Sequence, residues 1–221
     1  MPFRVKIPYS SAEYQVRFAR PIIKLIADRA LAVQQVVDAL LPFGFLLKNA
    51  ETLSPNNPAE QKIIFRLPER TSSFQFGAEG FIFNKENANW TTASDDINVI
   101  EASERALLEG TKVEILTRTL TLAMHLQLLD GTREQVLDKF LPEPFREASE
   151  GQSVKSHGAQ VTWQHGSMLV DYSAVVANGV FLRVANDFEA SKTIRDMATH
   201  MYSGEKFAFQ MLGVEEASNN E

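Results

Sequence analysis

The chain has 221 residues, 44% of them hydrophobic, with 28 acidic against 22 basic residues for a net charge of −6. It has no cysteine, which excludes a disulfide framework, a thiolate metal site and a cysteine nucleophile. No apolar stretch reaches the ~18 residues of a membrane span, and scattered Lys and Arg in an acidic chain lack the phosphate-neutralising footprint of a nucleic-acid binder.

In chain order, Met1 to Pro8 lacks the long apolar run of a secretion signal, so a cytoplasmic location is expected. Ala12 to Phe18 alternates apolar and polar residues and predicts a half-buried strand. Ile22, Ile26, Val33, Val36, Val37 and Leu40 recur at helical spacing, with Pro21 just inside the start and Pro42 as the stop. Asn49 to Gln61 is turn-rich and predicts a mobile loop. Three strand-like runs follow, Ile63–Leu67, Phe74–Phe76 and Phe81–Phe83, with Ala78-Glu79-Gly80 as a hairpin candidate between the last two. A second helix begins at Ser94, its first-turn Asp95 and Asp96 favouring the positive end of the dipole, and Gly110 ends it.

Leu116 to Leu128 predicts a long strand with Leu116, Leu120, Leu122, Met124, Leu126 and Leu128 on one face. Asp130-Gly131 turns the chain, and Thr132 with Gln135 fits a capping box. Glu147 to Gly158 is a polar loop. Strands are predicted at Ala159–Trp163, Met168–Tyr172 and Val180–Val184, with Asn178-Gly179 as a hairpin signal. A last helix runs from about Ser191 to Leu212, and the polar residues from Val214 on are expected to fray.

Gln35 to Phe45 reads Q-V-V-D-A-L-L-P-F-G-F, and Gln135 to Phe145 reads Q-V-L-D-K-F-L-P-E-P-F. The surrounding elements recur at a similar offset: Gly80 precedes Phe81 as Gly179 precedes Val180, and Ser-x-x-Ile opens helices at Ser94 and Ser191. The expectation is an α+β fold of two pseudo-symmetric strand–helix–three strands–helix repeats with curved antiparallel sheets. Residues 1–110 and 111–221 would be the halves, packed as one compact unit.

No phosphate loop, His-Glu-x-x-His or Gly-x-Ser-x-Gly motif occurs, so no catalytic residue, metal ligand or cofactor is assigned. His125, His157, His165 and His200 lack metal-ligand spacing and read as solvated or singly hydrogen-bonded. Arg118 stands in the apolar register of the long strand. A buried arginine needs an anion, so it holds either a ligand in a cavity or a carboxylate of the chain, unless a bulge or strand end exposes it. Asp38 and Asp138 recur near helix C-termini, where the dipole disfavours acids; structural hydrogen bonding and a carboxylate pair are both open. Trp90, Trp163, Tyr14 and Tyr172 line either a pocket or the core. Arg118, His125 and Trp163 are the candidate ligand-binding residues.

The strand Glu13–Phe18 before a helix, Arg118 at the start of a long strand, and His200-Met-Tyr-Ser-Gly-Glu-Lys-Phe207 carry a resemblance. The chain resembles a sporadically distributed family of uncharacterised bacterial proteins with a duplicated α+β unit. Met124-His-Leu-Gln-Leu128 departs from the Arg-Tyr-x-Asn stretch common there, and the resemblance implies no activity. The element order also looks like the doubled saddle of the TATA-box-binding fold, a likeness of shape alone. The expected role is a non-catalytic module that recognises a protein partner or forms a homodimer. The alternative is a small-ligand or enzymatic site around Arg118 in a cleft between the halves.

Overall fold

The structure, a computed structural model, describes residues 1–53, 60–67, 71–87, 94–109, 113–140 and 158–217. The protein is mixed α+β, with mainly antiparallel strands and few helices. In chain order the described elements are β1 (Phe3–Phe18), α1 (Ile23–Ala27), α2 (Arg29–Leu40), β2 (Ala50–Leu53), β3 (Lys62–Leu67), β4 (Ser72–Gly77), β5 (Gly80–Glu86) and α3 (Ser94–Leu108). After them come β6 (Ile115–Leu128), α4 (Arg133–Leu137), β7 (Ala159–Trp163), β8 (Gly166–Tyr172), β9 (Gly179–Phe188), α5 (Ile194–Leu212) and β10 (Val214–Glu216). No described helix is long and apolar enough to cross a membrane.

Two compact units form, and they are cut differently from the sequence halves 1–110 and 111–221. One comprises residues 12–120 and 187–199, the other 1–11, 121–186 and 200–221. The chain passes from one unit to the other within β1, β6, β9 and α5, because strands of up to 16 residues outrun a single small core.

In the unit of residues 12–120 and 187–199, the strands follow the order β2-β3-β4-β5-β1. Alternation puts Ile63, Phe65, Phe74, Phe76, Phe81 and Phe83 on one face, all 1% exposed or less. Phe74 stands opposite both Phe65 and Phe83 in register, its ring 5.6 Å from that of Phe81. Packed cross-strand aromatics of this kind favour one register over a slipped one. Gly80 is required where β5 meets β1: it has φ +156°, and a Cβ there would lie 2.0 Å from the Val16 carbonyl oxygen. Ile100 and Leu107 of α3 and Val36 and Leu40 of α2 complete this core, and the two helices pack together.

In the other unit the strands follow β1-β6-β9-β8-β7, with β10 parallel to β1. Met124, Leu126, Met168, Val170, Leu182 and Val184 are buried; Met201, Ala208 and Leu212 of α5 are buried as well, and Asn186 of β9 bonds Met201. Thr132 caps α4 as its sequence predicts, accepting from the Gln135 amide while Gln135 bonds back.

Local expectations change in five places. The first predicted helix is two: α1 and α2 break at Asp28, whose ψ of 52° is not helical, and Pro21 precedes the helix rather than opening it. The turn-rich stretch Asn49 to Gln61, expected as a mobile loop, contains strand β2, paired with β3 from Ala50↔Phe65 to Leu53↔Lys62. Pairing overrides the low strand propensity of such residues; 54–59 lie outside the described residues. Ser191 is not a cap. Thr193 takes that role, its Oγ1 accepting from the Asp196 amide at 3.1 Å and its own amide donating to Asp196 at 3.3 Å. Asn178-Gly179 does not make a two-residue hairpin: Asn178 is left-handed (φ 50°), as the signal requires, but it ends a longer loop between β8 and β9. Finally, Val214–Glu216 does not fray. It pairs with Phe3–Val5, and the Ala217 amide donates to Val5 at 2.9 Å. The helix-ending role of Gly110, the 147–157 part of the polar loop, and Trp90 lie outside the described residues.

Candidate functional site

Arg118 of β6 is 7% exposed and sits in the core register beside Leu120. Its anion is within the chain. One guanidinium nitrogen donates to Glu104 Oε2 at 2.8 Å and also contacts the Tyr14 hydroxyl, while the other reaches Glu104 Oε1. Nε donates to the Ala190 carbonyl at 3.0 Å. Tyr14 in turn donates to Glu104 Oε2 at 2.9 Å. A planar fork facing a carboxylate side-on is the strong bidentate geometry. All four residues belong to the unit of residues 12–120 and 187–199.

The electrostatics follow from this closure. Burial, reinforced by the Glu104 charge, pushes the Tyr14 phenol well above its usual range, so it stays a neutral donor. Burial, the largest single effect, opposes the Arg118 charge, but its hydrogen bonds to Glu104 and its electrostatic attraction to Tyr14 and Glu104 together outweigh it and raise the guanidinium further. Glu101, Glu104, Arg105, Arg118, Lys192 and Thr193 lie around a surface hollow of about 330 Å³. Beside it Arg195 donates to both Glu101 oxygens, at 3.0 and 3.1 Å, and to Asn98 at 2.7 Å.

Glu104 escaped the sequence reading, although its signal is present. Ile97, Ile100 and Leu107 are the buried stripe of α3, and Glu104 falls between the last two at helical spacing. Two opposite charges, each in an apolar register, predict one another.

His125, in the other unit, is held differently. Its Nδ1 lies 2.9 Å from Ser173 Oγ, and its ring packs against Tyr9 and Phe181. Ser173 Oγ already accepts from the Val175 and Val176 amides at 3.3 and 2.9 Å. Its hydroxyl hydrogen is therefore directed to Nδ1, leaving the imidazole proton on Nε2. Burial lowers the His125 pKa, which suits that neutral form. Accepting from both amides, this serine caps the turn after β8.

Trp163 ends β7 and is 39% exposed. Its indole crosses Gly166, its cross-strand neighbour, to donate to Asn186 Oδ1 at 3.2 Å. A Cβ on Gly166 would lie 2.7 Å from the indole nitrogen and 2.3 Å from Asn186 Oδ1, so glycine makes room for both. Asn186, 3% exposed, was also missed. It continues the inward register of Val180, Leu182 and Val184, and its amide donates to Met201 Sδ at 2.9 Å. Among the described residues, Arg118, His125 and Trp163 thus have separate hydrogen-bond partners and share none. Asp38 accepts from Gln34 at 2.7 Å, the local compensation expected for an acid near a helix end. Asp138 opens a short 3-10 turn, Asp138–Phe140. Tyr14 is core, and Tyr172 lies under the Arg133 guanidinium at 4.5 Å. Among the described residues, no group of three His, Asp or Glu side chains is placed to hold a metal ion.

No family model matches the chain, and neither does any curated protein. Among solved structures it is similar to Methanococcus jannaschii TBP, at 10% identity over 95% of this chain and 98% of that one, with a TM-score of 0.34. The regulatory subunit of aspartate kinase from Thermus flavus aligns at 12% identity over 91% and 96% of the two chains, with a TM-score of 0.18.

Proposed function

We propose that the protein is a non-catalytic cytoplasmic interaction module that binds an extended protein segment by strand pairing at β7. The observation that carries this is a row of side chains across β9, β8 and β7. Val184 and Met168 are each 1% exposed, yet Val161, next in the row, is 36% exposed. The apolar face therefore continues to the last strand while its cover ends before it, among the described residues. β7 also lacks the lysine or proline with which proteins commonly blunt an edge strand.

A duplicated architecture accompanies this reading. β1, the α1–α2 pair, β3 to β5 and α3 follow the same order as β6, α4, β7 to β9 and α5, with β2 and β10 as departures from the repeat. This order, and the resemblance to bacterial proteins with a duplicated α+β unit, support one strand–helix–three strands–helix unit used twice.

The module reading is tested by comparing wild type with Val161→Lys in sedimentation velocity and in affinity capture of partner proteins. Assembly or capture that Val161→Lys abolishes at unchanged melting temperature is the expected result. Identical behaviour of the two proteins removes the basis for β7 as the binding edge. The alternative, a small ligand beside Arg118, has the 330 Å³ hollow in its favour. It requires that a metabolite raise the melting temperature and that Lys192→Ala abolish the rise.

A further inference from the structure

We propose that the segment bound at β7 is β7 of a second copy, the two strands running antiparallel about a twofold axis at Val161. This rests on the interaction-module reading and names its partner. The register follows from the hairpin. Trp163 and Gly166 are paired across the two-residue loop Gln164-His165, and such a loop closes on a hydrogen-bonded pair. Ladder bonds alternate, so Trp163, Val161 and Ala159 direct their backbone groups to β8. The backbone groups of Gln160 and Thr162 point away from it.

An incoming strand must therefore bond at residues 160 and 162. In an antiparallel pair centred on Val161, Gln160 of one copy faces Thr162 of the other, and both sets of outward groups are satisfied at once. Val161 faces Val161 of the second copy. Ala159 faces Trp163, setting a small side chain against a large one on the apolar face.

Charge singles out this edge and this occupant. From Ser156 to Val170 the sequence has no Asp, Glu, Lys or Arg, in a chain that is 23% charged with a net charge of −6. Two acidic molecules repel in general, but this edge meets its own copy without opposing like charges. The strand at the far end of the other order, β2, differs: it is four residues long and carries Glu51, bonded to Arg66 at 3.2 Å. Self-pairing there would bring two Glu51 side chains onto neighbouring ladder positions. A self-complementary patch is what a twofold dimer requires.

The lack of native cysteine makes the register readable. A non-hydrogen-bonded antiparallel pair has a Cα separation of about 4.5 Å, inside the roughly 4.4–6.8 Å range of disulfides. Val161→Cys alone should form a covalent dimer on mild oxidation, at least about tenfold faster than Leu53→Cys on β2, because only a paired dyad holds two sulfurs in bonding range. Ala159→Cys mixed with Trp163→Cys should cross-link faster than either alone. Unmodified protein should sediment as a dimer, and Val161→Lys as a monomer. A monomeric wild type, or Val161→Cys that cross-links no faster than Leu53→Cys, overturns the self-pairing. If Val161→Lys still abolishes capture of a different protein, the module reading stands and only the identity of its partner changes. If capture is also unaffected, both fall.

Discussion

Removing Glu104 tests the account of Arg118 most directly. In Glu104→Ala the guanidinium, 7% exposed, keeps only the Ala190 carbonyl and the Tyr14 hydroxyl as partners. Breaking a buried pair by deleting one member costs about 3–5 kcal/mol. The Glu104 side chain is 17% exposed, so some water reaches the vacated site, and the low end, about 3 kcal/mol, is expected. For a chain of this length that lowers the melting temperature by roughly 6–12 °C. Replacing both members with apolar residues, Arg118→Met with Glu104→Leu, removes the stranded charge and should return stability to within about 1 kcal/mol of wild type. Urea unfolding followed by circular dichroism measures all the variants. A Glu104→Ala loss below about 1 kcal/mol, or a double variant as unstable as the two single losses added, refutes the claim that this pair is a closed internal structure.

Tyr14 gives a pH signature. Its folded pKa is raised, so its contribution to stability is fully present below the ordinary phenol pKa of about 10 and is lost as pH rises through the folded value. Wild-type stability should fall by up to about 1.4 kcal/mol per pH unit above pH ~10 from this group, and Tyr14→Phe should flatten that limb in urea titrations. His125 has the opposite sign. Its pKa is lowered, so its contribution is present above the ordinary imidazole pKa of about 6.5 and is lost as pH falls through the folded value. Its imidazole resonances should titrate below that value by NMR; titration at or above it counts against the Ser173 geometry. Gly80→Ala should be among the most disruptive single changes, costing on the order of 4 kcal/mol or preventing soluble expression, because the obstruction is the Val16 backbone rather than a movable side chain. A melting temperature within a few degrees of wild type would show that β5 and β1 are not so closely joined.

Much of the framework was legible in the residues because it depends on periodicity. The alternation in Ala12–Phe18 and from Leu120 to Leu128, and the capping box at Thr132, each read out in the structure. Leu116, expected on the apolar face, is instead 56% exposed at the strand's start, and Thr121, expected on the polar face, is buried. The two missed strands share a cause. β2 and β10 are short and polar, and they exist because β3 and β1 offer unpaired ladder groups. Their own residues do not ask to be strands.

The sequence by itself determined that Arg118, once buried in its apolar register, needs an anion, since such a site leaves a charge with no water. Only the tertiary structure decided that the anion is Glu104 rather than a ligand, because that depends on how α3 is laid against β6 within one unit. The same division holds for Trp163: its strand was readable, but its reach across Gly166 to Asn186 was not. Short-range pattern fixes which groups must be satisfied, and long-range chain approach chooses what satisfies them.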